Sequence, residues 1–126
     1  MNIPSQLKYT KSHEWVAFLD EESARIGLTD YAQNALGGIV FASLPAVGDA
    51  LQMGESLGEV ESVKSVSDVF APFTCVVRAV HEAVLDEPEK INSDPYGSWL
   101  IEVGDITESQ DLMTAEEYGV FCGAEE

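Results

Sequence analysis

Glu61-Ser62-Val63-Lys64-Ser65-Val66-Ser67-Asp68 is the stretch on which the reading of this chain turns. It sets one lysine in a short polar interval between two segments, Leu57 to Ser62 and Ser67 to Ala71, whose patterning predicts β-strands. Lys64 therefore falls at the turn of a predicted hairpin. The chain holds 6 basic residues against 23 acidic ones, so a lysine among Glu59, Glu61 and Asp68 stands out. Neighbouring carboxylates favour the charged ammonium. A lysine that forms Schiff bases or acts as a general base needs the neutral amine instead. Lys64 thus reads as a substrate, an exposed amine that another enzyme acylates. Taken alone, the eight residues also fit a surface lysine that pairs with acidic neighbours in a turn.

Working outward, Tyr9 to Phe18 reads as a strand, rich in aromatic and β-branched residues, and ends at the turn Asp20-Glu21-Glu22-Ser23. Ala24 to Leu28 alternates and pairs with it as a hairpin. Thr29 and Asp30 offer N-caps for a short helix from Tyr31 to Leu36, which Gly37 and Gly38 stop. The apolar run Ile39 to Leu44 predicts a buried strand closed by Pro45. Short strands with turn signals follow, at Val47-Gly48-Asp49 and Met53-Gly54-Glu55. After Pro72, Cys75 to Val80 is strongly β-branched, Leu85 to Glu89 marks a turn, Asn92 to Gly97 a loop, and Trp99 to Val103 a last core strand. Thr107-Glu108-Ser109-Gln110 and Thr114-Ala115-Glu116-Glu117 both fit capping boxes, so two short C-terminal helical turns are expected, packing Leu112, Met113, Tyr118 and Phe121 on the domain. Regular short strands with Gly, Pro and Asp punctuation favour a β-sandwich or barrel.

At 126 residues the chain is expected to form one domain with a sizeable core, 1–126, with its essential part at about 7–122. A net charge of −17 argues against nucleic acids and anionic membranes, whose phosphates are bound by clustered Lys and Arg. It suits docking onto positive protein patches, and it also suits plain solubility. The N-terminus lacks an apolar signal core or an arginine-rich leader, and no run reaches the length of a membrane span, so a cytoplasmic location is expected. Cys75 and Cys122 show no CxxC spacing, and His13 and His81 form no ligand pattern, so neither disulfide nor metal is expected. No nucleophile elbow, dinucleotide fingerprint or P-loop is present. The expected role is not catalytic.

Five collinear segments are similar to the H protein family of the glycine cleavage system. They are Leu7 to Trp15, Ile26 to Gln33, Glu61 to Val69, Ile91 to Ile101 and Leu112 to Tyr118, and the resemblance spans residues 7 to about 122. It implies a mainly β fold, a lipoyl-type barrel sandwich of two small antiparallel sheets with a short internal helix and short C-terminal helices. It implies lipoate in amide linkage to Lys64, within the attachment context Glu61, Ser62 and Val63. It further implies a monomeric carrier that takes the aminomethyl group of glycine from glycine decarboxylase, a pyridoxal-phosphate enzyme, to the tetrahydrofolate-dependent aminomethyltransferase. Dihydrolipoyl dehydrogenase then reoxidises the arm, and a lipoyl-attaching enzyme installs it. Ser12, Glu14 and Asp68 match the positions that hold the loaded arm in a surface cleft, where carboxylates and a hydroxyl suit a cationic amine. Strand-edge polarity is the competing account of Ser12 and Glu14, and packing roles are expected for His13 and Trp15.

Three positions depart from the family pattern. Cys75 stands where glycine is usual, at a predicted turn opposite the lysine, where cysteine at positive φ would be strained. His81 replaces asparagine, and Gly97-Ser98-Trp99 is one residue short. These departures leave room for an H-like lipoyl carrier that serves lipoate relay or sulfur metabolism. Val63-Lys64-Ser65 is unlike the Met-Lys-Met of biotin carriers and the Asp-Lys-Ala of acyltransferase lipoyl domains. An unmodified acidic scaffold would carry a bare Lys64.

Overall fold

A computed structural model describes residues 1–125. Glu126, the last residue of the expected unit 1–126, lies outside the described residues. The strands are β1 (Lys8–Tyr9), β2 (Glu14–Phe18), β3 (Ala24–Leu28), β4 (Ile39–Ser43), β5 (Ala50–Leu51), β6 (Ser56–Ser62), β7 (Val66–Phe70), β8 (Phe73–Val80) and β9 (Ile101–Ser109). The helices are α1 (Asp30–Leu36), α2 (Glu82–Asp86), α3 (Lys90–Ser93) and α4 (Ala115–Glu125). All pairings are antiparallel, in a six-stranded sheet ordered β1-β2-β3-β9-β8-β5 and a three-stranded sheet ordered β4-β6-β7. One apolar core joins them: Val16, Ile26, Phe73, Val77, Ile101 and Val103 from the larger sheet meet Ile39, Ala42, Leu57, Val60 and Val69 from the smaller. This is the expected mainly β sandwich of two antiparallel sheets, although the two sheets are not closed into the expected barrel.

The expected strand from Tyr9 to Phe18 is two strands. Thr10, Lys11, Ser12 and His13 turn the chain back, so that Tyr9 lies opposite Trp15. His13 takes a φ of 70°, and the Thr10 hydroxyl accepts from the Glu14 backbone N–H at 3.0 Å. The aromatic run hid this turn. Trp15 in turn lies flat across β3 opposite Gly27, where an added Cβ would fall 2.5 Å from the indole. Only glycine allows that approach.

Further expectations change along the chain. The run at 39–44 is not buried throughout: Ile39 and Ala42 face the core, while Val40 and Phe41 face solvent. The turn at 85–89 covers the end of α2 and its link to α3. The last core strand is β9, which runs on to Ser109, so the Thr107–Gln110 capping box does not start a helix. Its residues pair instead with β8, as Thr74↔Glu108 and Phe73↔Ser109. Exposure on that half of β9 gives it the polar composition of a helix start. The C-terminal segment therefore has one helix, α4, entered through the second capping box. There Thr114 N–H donates to Glu117 Oε1 at 2.9 Å, and Glu117 N–H donates to Thr114 Oγ1 at 3.2 Å. Helix α4 closes a second apolar cluster in which Tyr118 stacks on Tyr9 with ring centroids 4.6 Å apart.

The turn expected at Cys75 is also absent. Cys75 sits inside β8, opposite Leu51, and is buried. Its φ is not positive, so no strain arises. Burial pushes its thiol up to about 11.

Candidate functional site

Strand β6 alternates Leu57 and Val60 inward with Glu59 and Glu61 outward, then ends at Ser62, which is buried although polar. That hydroxyl organises the tip between β6 and β7. It accepts from the backbone N–H of Lys64 at 3.3 Å and of Ser65 at 3.1 Å, and it donates to the Ser65 carbonyl at 3.2 Å. Ser62 N–H donates to the same carbonyl at 2.8 Å. Val63 N–H donates to the Gly38 carbonyl at 3.2 Å, which ties the tip to the loop between α1 and β4. Lys64 stands at the exposed apex of this hairpin, flanked by Val63 at 78% exposure.

That supporting loop is itself clamped. Thr29 caps α1, its hydroxyl accepting from Ala32 N–H at 3.1 Å. Gly37 ends the helix at φ 82° and ψ −162°, a region open in practice only to glycine. Asn92, on α3, then holds three backbone or side-chain groups. Its Oδ1 accepts from Ile39 N–H at 2.8 Å, and its Nδ2 donates to the Gly37 carbonyl at 2.9 Å and to Gln33 Oε1 at 3.0 Å. The Lys64 stem lies over Gly37, where an added Cβ would meet Lys64 Cε at 3.2 Å. Asn92 and Gly37 are contributors that sequence reasoning missed. Gly37 was visible only as a helix stop.

Among the described residues the ion pairs are Arg25–Glu102, Arg78–Asp105 and Lys90–Glu87, and none engages Lys64. The alternative reading, in which Lys64 pairs with its acidic neighbours Glu59, Glu61 and Asp68, is therefore not met among the described residues. Glu61 lies outward between Phe41 and Val66, and Asp68 accepts from the Ser56 hydroxyl at 3.0 Å.

Beside the hairpin is a cleft of about 150 Å³. Ser12 and Asp68 both line it, together with His13 and Ser67, over an apolar lining from Leu28, Tyr31, Ala32, Ala35, Leu36 and Val60. Leu36, on its wall, immediately precedes Gly37, so the cleft and the lysine stem share one turn of chain. Glu14 does not line the cleft. It is buried behind Ser12, where Oε1 accepts from the hydroxyls of Thr10 and Ser12, each at 2.6 Å, and Oε2 accepts from Phe70 N–H at 3.2 Å. Strand-edge polarity does not describe such a residue. Burial raises its carboxyl above the usual range, while the Ser12, Thr10 and Phe70 hydrogen bonds and the nearby His13 pull it back down. His13 has both a packing and a lining role: its ring stacks on Tyr31 at 4.4 Å, and its Nδ1 pairs with the Tyr118 hydroxyl at 2.6 Å. Trp15 packs, donating its indole N–H to the Pro95 carbonyl at 3.1 Å.

A family model for the glycine cleavage H-protein matches residues 7–125. The chain belongs to the glycine cleavage H-protein family. It is 51% identical over 125 residues to the glycine cleavage system H protein of Lachnoclostridium phytofermentans, covering 99% of this chain and 98% of that one. It is 48% identical over 126 residues to that of Coprothermobacter proteolyticus, covering 98% and 99%. The crystal structure of a glycine cleavage system H protein from Mycobacterium marinum is similar with a TM-score of 0.90 at 42% identity, covering 96% of this chain and 99% of that chain.

H proteins carry lipoate, and the residues here fit such a group. An exposed primary amine stands at a hairpin apex, a glycine leaves room for its stem, and the adjoining cleft combines an apolar lining with polar groups at Ser12, His13, Ser67 and Asp68. The other departures are absorbed structurally. His81 Nδ1 pairs with the Trp99 carbonyl at 2.7 Å and its ring stacks on Trp99 at 4.4 Å, with Arg25 also over that indole. The short segment at 97–99 is closed by Asp94, whose side chain and carbonyl accept from Gly97 and Ser98 N–H. No helix among the described residues is long and apolar enough to cross a membrane.

Proposed function

We propose that this chain, as one domain over 1–126, is the lipoylated carrier of the glycine cleavage system, with Lys64 as the attachment residue. The observation that carries the reading is the apex position of the Lys64 amine, exposed, free of ion pairs among the described residues, and next to an apolar cleft. When bound, lipoate supplies a reversible sulfur–sulfur chemistry that accepts and releases a one-carbon amine. The chain's own residues do the rest. Ser62 and Asn92 fix the base from which the arm swings, and tethering raises the arm's effective concentration at any active site the carrier reaches. Leu28, Ala35, Leu36 and Val60 shelter the methylene chain between encounters. Ser12, oriented by Glu14, and Asp68 receive the cationic amine at the end of the cleft.

The partners this implies are glycine decarboxylase, the aminomethyltransferase, dihydrolipoyl dehydrogenase and the lipoyl-attaching enzyme. No residue of the chain is assigned a catalytic role. Glycine–bicarbonate exchange with purified glycine decarboxylase tests the reading. Lipoylated wild-type chain supports exchange, and Lys64→Arg does not. Absence of exchange with chain whose lipoylation is verified by mass would refute it.

A further inference from the structure

The three-stranded sheet has an inner face and an outer face, and the outer one is unusual. Cross-strand register places Phe41, Glu61 and Val66 in one row, and Ser43, Glu59 and Asp68 in the next row of outward positions. Residues directly opposite on neighbouring strands share a face. Phe41 is 57% exposed and Val66 56%, with Val63 at the tip more exposed still and Val40 beside it on the edge strand β4. The inner row, Ala42 and Val60, is buried, so the exposed apolar groups are not a failure of the sheet's alternation. Large apolar residues exposed on both sides of a carboxylate, on a strongly charged protein, point to a binding surface, and edge strands usually avoid such a composition.

From Ile39 to Phe70 the sequence contains one basic residue, Lys64. Acylation of that amine removes its charge and leaves Glu61 between Phe41 and Val66, with Glu59 and Asp68 in the next outward row. This charge pattern selects the occupant. Nucleic acid, an anionic membrane and a second copy of this chain would all bring negative charge against it. Resting on the carrier reading above, we propose that this outer face is where the enzyme that receives the arm docks. The matching surface on that enzyme sets Lys or Arg opposite the Glu59 and Glu61 strand, between apolar contacts for Phe41 and Val66, at the mouth of its active site. Val60 and Ser67, which line the arm's cleft, belong to the row between the two outward rows, and Asp68 of the second outward row lines the cleft as well, so the seat adjoins the cleft and shares Asp68 with it.

The test uses full-length lipoylated chain, wild type and variants, in glycine–bicarbonate exchange with glycine decarboxylase, measuring KM for the carrier and kcat across a salt series. Phe41→Ser with Val66→Ser raises KM about tenfold, the loss expected of apolar anchor residues, and leaves kcat within about twofold. Glu59→Gln with Glu61→Gln, which leaves the apolar groups intact, raises KM at low salt and flattens its salt dependence. Val120→Ser, an exposed apolar change on α4, leaves KM unchanged. Wild-type KM in both double variants, or an equal rise in Val120→Ser, overturns the docking surface while leaving the carrier reading intact. Wild-type chain that is lipoylated yet inactive overturns both.

Discussion

Gly37 and Gly38 are adjacent, yet replacing each with alanine has opposite consequences. At Gly37 the φ of 82° with ψ of −162° lies in a region that an L side chain is held out of, at a cost of about 1–3 kcal/mol. The contact with Lys64 Cε at 3.2 Å adds little, since the lysine stem is flexible and moves away. Gly38 has no positive φ, and a methyl group added to its Cα would meet nothing within 4 Å. Alanine there restricts the unfolded chain and stabilises by about 0.4–1 kcal/mol. The two variants therefore differ by about 1.4–4 kcal/mol, with the whole gap arising from backbone conformation. Urea unfolding followed by tryptophan fluorescence reads this directly. For slopes of about 1–3 kcal/mol/M the midpoints separate by roughly 1 M, Gly37→Ala lying below wild type and Gly38→Ala at or above it. Coincident midpoints would refute the assignment of Gly37 as a conformational requirement of the loop that holds the lysine tip.

Glu14 gives stability a distinct pH dependence. Its carboxyl is raised above 4.5 in the folded chain, so the native state holds that proton more tightly than the unfolded state does. Its contribution is fully present below about pH 4.5 and is lost as pH rises through the folded value. Glu14→Gln removes this component, so the difference in urea midpoint between wild type and variant changes with pH from about 4.5 upward; a constant difference contradicts the burial argument. For Cys75, restoring the family's glycine is expected to destabilise by about 1–2 kcal/mol, through a lost buried side chain and a weakened strand interior. A thermal melt showing Cys75→Gly as stable as wild type would mean the position is a turn after all. The native Cys75 thiol is also expected to resist alkylation until the chain unfolds, because it is buried and its thiolate disfavoured.

What the sequence made legible was local. The Thr29 cap, the Thr114–Glu117 box and the hairpin bearing Lys64 each depend on residues within a few positions of one another, and each formed as read. The turn at 10–13 was obscured because aromatic and β-branched residues on both sides look like one strand. The polar half of β9 looked like a helix start because solvent covers it. Asn92 was illegible for a different reason: its contacts with Gly37 and Ile39 span 55 and 53 residues, and no local pattern announces such a clamp. Glu14 likewise gave no sign that it would be buried, since glutamate is ordinarily exposed. The family resemblance picked out Ser12, Glu14 and Asp68 together. The fold separates them into two groups on the cleft wall and one behind it.

The measurement closest to the central claim is the intact mass of this chain, purified from cells supplied with lipoate and mapped by peptide. The account predicts a mass increase of one lipoyl group, located on the peptide containing Lys64 and absent from Lys64→Arg. Unmodified wild-type chain, or lipoate on a different lysine, contradicts it.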